Sequence, residues 1–428
     1  MRIVACVAAL VCGVALGQQQ SPVIAVKTGR LLDPVGQKVR TGAVVVIQDG
    51  RIKSVGDAVP AGAQVVDASG LTVCPGFIDA HTHALLDGDL TEKEYDEQVL
   101  KESLPYRALR ATQAMRIALQ HGFTTHRDIG NEGAGFADVD LKKAIAKGIV
   151  VGPRLFVATK ALAPTGAYGI GGTAYSWEWD WPKGVQLCDG ADGCRKAVRD
   201  QISHGADWIK VYADRGYYKR PDGQIRSLPN FTEEELKAIV DQAHRTNKKV
   251  AAHSITPSGH AIALAAGVDS IEHGHVLDDA TVKAMVQKKV FLSPTLTVSA
   301  YVEAARSKTN PIWNALAKVS EESFRRALAA GVQIALGTDA GGFPWEEINQ
   351  AQEFKHYVDW GMTPWQALRS GTVVAATLLG KESELGTIAP GAYADLVGMK
   401  EDPLKDITAT ERVSFVMKEG VVVVAPGR

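Results

Sequence analysis

The chain has 428 residues, 46% hydrophobic and 22% charged, enough to bury a large core and to divide into a main and a smaller domain. Its formal net charge is −1, from 47 basic and 48 acidic residues that are dispersed along the chain. That balance excludes the electrostatic footprint of a nucleic-acid or anionic-membrane binder.

Residues 1–17 read as an export signal: Arg2 precedes an apolar run, and Ala15-x-Gly17 offers small residues for cleavage before Gln18. The run is shorter than the roughly 20 residues a membrane span needs, so an exported protein, periplasmic or secreted, is expected. Loss of the signal removes Cys6 and Cys12 and leaves Cys74, Cys188 and Cys194. Cys188 and Cys194 either close a short disulfide loop in an oxidising compartment or remain two free thiols.

Residues 18–74 are rich in β-branched residues and predict strands at 23–26, 43–47, 51–55 and 64–67, with Asp49-Gly50 as a hairpin turn. From Pro75 the rhythm changes to short apolar runs separated by helical patterns. Eight candidate strands follow, at 76–80, 123–129, 154–160, 207–212, 249–253, 269–273, 290–294 and 333–338. Thr232 and Glu235 form a capping box at one helix start, and the helical patterns at 191–204 and 313–330 stop before Gly205 and Gly331. Eight βα units over 75–385 predict a (β/α)8 TIM barrel with its site at the C-terminal strand ends. Long connections follow strands three and four, one carrying Trp177, Trp179 and Trp181, the other Arg215, Tyr217, Tyr218, Lys219 and Arg220. Loops of that length and aromatic content suit a pocket mouth or a subunit contact. The tail, 386–428, returns to β-type sequence and is expected to complete a small discontinuous β-sandwich with 18–74.

The predicted strand ends carry polar residues. His81 and His83 are spaced i, i+2, which puts both on one face of a strand, where two imidazoles can share a metal ion. Lys210, His253, His273 and Asp339 lie at other strand ends. Lys210 taken alone could equally be a Schiff-base nucleophile or a core residue that snorkels. Glu272, beside His273, is a possible supporting group for a ligand, although strand alternation points it away from the metals. His121, His244, His260 and His356 fall in helical patterns and read as surface or structural.

Residues 75–83 (Pro-Gly-Phe-Ile-Asp-Ala-His-Thr-His), 205–211 (Gly-Ala-Asp-Trp-Ile-Lys-Val), 267–274, with Glu272-His273-Gly274, and 337–341 (Gly-Thr-Asp-Ala-Gly), with the tail at 386–396, resemble the amidohydrolase superfamily. Within it the chain is similar to the imidazolonepropionase-like and Xaa-Pro dipeptidase branch, which also contains ochratoxin-hydrolysing amidases. The resemblance implies two zinc ions, one on His81, His83 and Asp339 and one on His253 and His273, with Lys210 as a carbamate bridging both. It gives Asp339 the proton transfers and implies a homo-oligomer, an octamer by family analogy. Tyr212, two residues past Lys210, is placed to polarise a scissile carbonyl. Three positions depart from common family residues, Tyr168, His275 and Trp345; with Tyr212, Arg215, Tyr217 and Tyr218 they are the expected substrate contacts. Arg215, Lys219 and Arg220 are candidates to grip a carboxylate, and the three tryptophans offer apolar surface. The expected reaction is hydrolysis of the amide to a C-terminal amino acid, in Xaa-Pro-type dipeptides or in N-acyl or aryl-amide amino acids such as ochratoxin A. The expected partner is therefore a small molecule or dipeptide. Two alternatives are a cyclic-amide hydrolase of the imidazolonepropionase type and a non-catalytic binding barrel, and the complete ligand set counts against the latter.

Overall fold

The computed structural model describes residues 21–168, 178 and 180–426; the expected signal, Trp177 and Trp179 lie outside them. The β-branched N-terminal part forms β1 (Ile24–Asp33), β2 (Lys38–Thr41), β3 (Val44–Gln48), β4 (Arg51–Gly56) and β5 (Gln64–Pro75). Asp49 and Gly50, at φ 53° and 71°, make the two-residue turn between β3 and β4 that left-handed residues favour. Gln48 faces Arg51 across it.

Past Pro75 the strands become short and alternate with helices. They are β6 (Phe77–Thr82), β7 (Phe123–Asp128), β8 (Arg154–Val157), β9 (Ala161–Ala163), β10 (Val185–Leu187) and β11 (Trp208–Tyr212). A hairpin, β12 (Asp214–Lys219) and β13 (Ile225–Pro229), precedes β14 (Lys249–Ser254), β15 (Ser270–His273) and β16 (Phe291–Ser293). β6, β7 and β8 pair in parallel. A second parallel sheet runs β10-β9-β11-β14-β15-β16. The helices start and stop where local chemistry directs: Thr232 and Glu235 cap each other reciprocally, and Gly331 ends helix Ile312–Ala330 in a left-handed turn.

This mixed α/β succession fits a TIM barrel, but its ladders do not close into one ring. The third expected strand, 154–160, stops at Val157; Thr159 turns at φ 60°, and the chain resumes as β9 in the other sheet. The eighth, expected over 333–338, makes only the bridges Leu292–Ile334 and Thr82–Ala340. Leu336 N–H donates to the Ser370 carbonyl at 3.0 Å instead of extending a ladder. The segment is still tied to both neighbours, through Ala335 N–H to Leu292 O (2.9 Å) and Ala80 N–H to Leu336 O (2.8 Å).

β17 (Leu396–Met399), β18 (Val413–Lys418) and β19 (Val421–Val424) follow. β17 pairs antiparallel with β5, so strands from both ends share one eight-stranded sheet, continuous where the sequence suggests two layers. Val26, Val45, Ile47, Leu396, Phe415 and Met417 belong to its apolar core, each such side chain contributing roughly 1.5–3 kcal/mol by burial. Among the described residues no helix is long and apolar enough to cross a membrane. Cys188 and Cys194 are buried free thiols.

Candidate active site

The polar strand ends converge. His81, His83, Lys210, His253, His273 and Asp339 all line one cavity of about 580 Å³. His81, on β6, has Nδ1 2.9 Å from Glu272 Oε2, while its Nε2 is buried with no hydrogen-bond partner among the described residues. Two residues on, His83 bonds through Nδ1 to the Gly130 carbonyl (2.7 Å) and sets Nε2 3.1 Å from Asp339 Oδ1. His273 bonds through Nδ1 to Thr295 Oγ1 at 2.8 Å. His253, its ring centroid 4.5 Å from that of His273, also has a buried, unpartnered Nε2. His81, His273 and Asp339 each offer a ligand atom, all within 4.8 Å of one another.

Local backbone explains how the chain achieves this. His273 and Asp339 sit at φ 71° and 61°, a left-handed region where a non-glycine residue is strained and often functional. Gly337 and Gly341 flank Asp339 because β16 and the end of β6 pass so close. A Cβ on Gly337 would meet Ser293 Oγ at 2.1 Å, and one on Gly341 the His83 carbonyl at 2.3 Å.

Burial, reinforced by Lys210, lowers His81 to about 4, and burial holds His253 and His273 well below the usual histidine range. These rings are therefore neutral, with lone pairs to donate. For His83 burial works in the same direction, but the adjacent Asp339 carboxylate outweighs it and lifts the ring to about 9. Lys210 is 1% exposed and forms no hydrogen bond or ion pair with any described residue; burial lowers its ammonium. Buried ring nitrogens without partners are costly. Four imidazoles, an amine and one carboxylate are the donor set of a divalent transition-metal site, so these residues fit a bound metal.

Several further residues support the site. Glu272, a possible supporting group expected to point away from the metals, shares a face with Ser270 as alternation requires and meets the Nδ1 edge of His81, whereas His273, at φ 71°, is the residue that departs from alternation. Burial would raise the Glu272 carboxyl, but Arg127, His81 and Lys210 hold it at about 2. Arg127 Nη2 clasps both Glu272 oxygens at 2.8 and 3.0 Å. A charged residue inside the buried β7 pattern was the available signal. Glu132, at φ 49° in the loop after β7, accepts from the Tyr95 and Tyr168 hydroxyls on Oε2 (2.9 and 2.8 Å) and from Tyr212 on Oε1 at 3.5 Å. Arg107, 1% exposed, clips the Leu85, Asn131 and Glu132 carbonyls together at 2.8–3.3 Å.

Of the expected substrate contacts, Tyr168, Tyr212, Arg215, Tyr217 and His275 line the cavity. Tyr217 and His275 are hydrogen-bonded to each other. The Arg215 guanidinium lies 4.0 Å from the Tyr168 ring centroid and has no ion pair with any described residue. Tyr218 and Trp345 are not among the residues lining the cavity. Alternation on β12 turns Tyr218 outward, 44% exposed. Trp345 packs behind the wall, its indole N–H donating to the Leu86 carbonyl at 3.0 Å. Lys219 and Arg220 are exposed, Arg220 pairing with Asp222 at 3.6 Å. His260 is buried and bonds the Ser254 carbonyl at 3.1 Å, a structural role.

Comparison with known proteins agrees with this geometry. The sequence model of the amidohydrolase family matches residues 72–423. An ochratoxinase from Aspergillus niger is 30% identical over 440 residues, covering 95% of this chain and 88% of that protein. An imidazolonepropionase from Streptomyces griseus is 30% identical over 383 residues, covering 83% and 85%. Among solved structures, a Xaa-Pro dipeptidase with methionine bound in its active site superposes with a TM-score of 0.83 at 30% identity, over 94% of this chain and 99% of that one.

Proposed function

Because the chain belongs to the amidohydrolase family, we propose that it is a binuclear metal-dependent hydrolase cleaving the amide bond to a C-terminal amino acid. The observation that carries this proposal is the meeting of four imidazoles, Lys210 and Asp339 in one cavity, with the Nε2 atoms of His81 and His253 left unpartnered. His81, His83 and Asp339 would hold one ion and His253 and His273 the other. Lys210 would bridge them as a carbamate, formed when its amine adds to CO₂ and releases a proton. Divalent ions bound there, zinc by the donor set, acidify a water and polarise a carbonyl.

The remaining work falls to the protein's own groups. The Asp339 side chain, 16% exposed, accepts the proton of the attacking water and returns it to the leaving amine. Tyr212 donates its hydroxyl to the scissile carbonyl. Arg215, free of ion pairs with the described residues, holds the substrate carboxylate through paired hydrogen bonds. In this proposal 75–385 form a (β/α)8 barrel, 18–74 and 386–428 flank it, and 1–17 are removed on export. The likeness to an ochratoxinase and to a Xaa-Pro dipeptidase supports N-acyl or aryl-amide amino acids such as ochratoxin A, and Xaa-Pro dipeptides, as substrates. The likeness to an imidazolonepropionase supports a cyclic-amide hydrolase as the second reading.

Chelation is expected to abolish hydrolysis and added Zn²⁺ to restore it; full activity in metal-free protein refutes the mechanism. Replacing the substrate's C-terminal carboxylate by an amide should lower kcat/KM by roughly ten- to a hundredfold. Equal rates on acid and amide would favour the cyclic-amide reading.

A further inference from the structure

The cavity wall holds two carboxylates that the ligand set does not use. Asp89, on the segment after β6, and Glu132, in the loop after β7, both line it. The Asp89 carboxylate receives no hydrogen bond and no ion pair from any described residue. Its cationic neighbour Arg306 directs its N–H groups to the backbone carbonyls of Leu90 (2.8 Å) and Asp89 (3.1 Å) instead. Glu132 is 2% exposed, and two tyrosine hydroxyls fill its Oε2. Among the described residues its Oε1 has only distant company: the Tyr212 hydroxyl at 3.5 Å and His83 Nδ1 at 3.7 Å. Glu132 is thus held rigidly by one oxygen with acceptor capacity left on the other. Arg215, suited to an anion, enters the same cavity from a different element, β12.

A primary ammonium has three donors and no acceptor, and carboxylates in a confined, poorly solvated wall bind it through charge-assisted hydrogen bonds. An uncharged acyl chain in its place would leave Asp89 facing apolar surface without a partner, which is costly. We propose that Asp89 and Glu132 form an ammonium subsite, so that the enzyme prefers amides whose acyl part carries a cationic amine. That class is dipeptides with a free α-amino group, as against N-acylated amino acids of the same size. The inference rests on the amide-hydrolase proposal above and chooses between its two substrate classes.

The test pairs an Xaa-Pro dipeptide with its des-amino analogue, the acyl-proline of equal length, on the same zinc-loaded enzyme. The wild-type kcat/KM ratio should favour the dipeptide by roughly ten- to a hundredfold. Asp89→Asn should shrink that ratio by about tenfold, and Glu132→Gln should shrink it likewise. A ratio taken on one preparation is insensitive to how much of a variant folds. Equal wild-type rates on the two substrates, or variants that slow both substrates alike, would overturn the subsite while leaving amide hydrolysis intact. Hydrolysis of neither substrate, nor of an aryl-amide amino acid such as ochratoxin A, would overturn the amide-hydrolase proposal, and the subsite with it.

Discussion

The eight-stranded terminal sheet and the strand-end cavity treat their polar groups in opposite ways. In the sheet, β1 pairs with β2, β3 and β5 along its length, and none of the buried side-chain atoms lacking a partner among the described residues belongs to its strands. Such atoms gather instead around the parallel strands: His81 Nε2, His253 Nε2, Ser254 Oγ and Ser293 Oγ. The left-handed His273 and Asp339 are there too. Unmet polar need gathers where a ligand would supply the missing partner, whereas the sheet's own left-handed residues, Gln37, Asp49 and Glu419, lie in the turns between its strands, where such backbone only has to reverse the chain.

That contrast can be broken by experiment. Lys210→Ala should lose bound metal and reduce kcat/KM by at least roughly a thousandfold, since metal ions contribute several kcal/mol to such transition states. A small carboxylic acid should restore part of the activity; undiminished turnover would remove Lys210 from the chemistry. Phe415→Ala, in the sheet, should do the reverse: about 3–5 kcal/mol of stability lost in a urea titration, with kcat per folded molecule unchanged. A fall in kcat there would mean that the sheet supports the site directly. Glu272→Gln tests the boundary, because Glu272 is buried yet serves His81. Metal affinity, read by zinc titration, should weaken by about ten- to a hundredfold, whereas unchanged affinity would reduce Glu272 to a partner of Arg127. The smallest effect is expected for Thr232→Ala, which removes an exposed helix cap that lines neither region: about 1 kcal/mol of stability and no change in metal binding.

The legible parts of the sequence were those governed by local chemistry. Asp49-Gly50 has to turn where it stands, Thr232 and Glu235 cap across three residues, and His81 with His83 shares a face whatever the rest of the chain does. The polar residues ending apolar runs met in one cavity because parallel strands with covering helices bring those ends together. What could not be read depends on contacts distant in sequence or on departures from regular backbone. His273 departs from alternation because its own backbone is left-handed, which leaves both it and Glu272 beside His81, and the eighth strand is diverted by a carbonyl at Ser370. Glu132 shows its importance only once Tyr95, Tyr168 and Tyr212 arrive from three separate segments. Trp345 has the same composition signal whether it lines a pocket or braces one from behind.

The Arg107 clip has a practical consequence for anyone wishing to retarget this protein. One guanidinium on helix Leu104–Gln120 fastens the segment after β6 to the loop after β7 through three backbone carbonyls. Those two stretches carry Asp89 and Glu132, so they form a single cassette that must be transplanted together, along with the helix. Lysine at position 107, with one point charge in place of a planar fork, could not hold both loops at once. A library that diversifies either loop alone would mostly sample the cost of breaking that joint, and only secondarily new specificity.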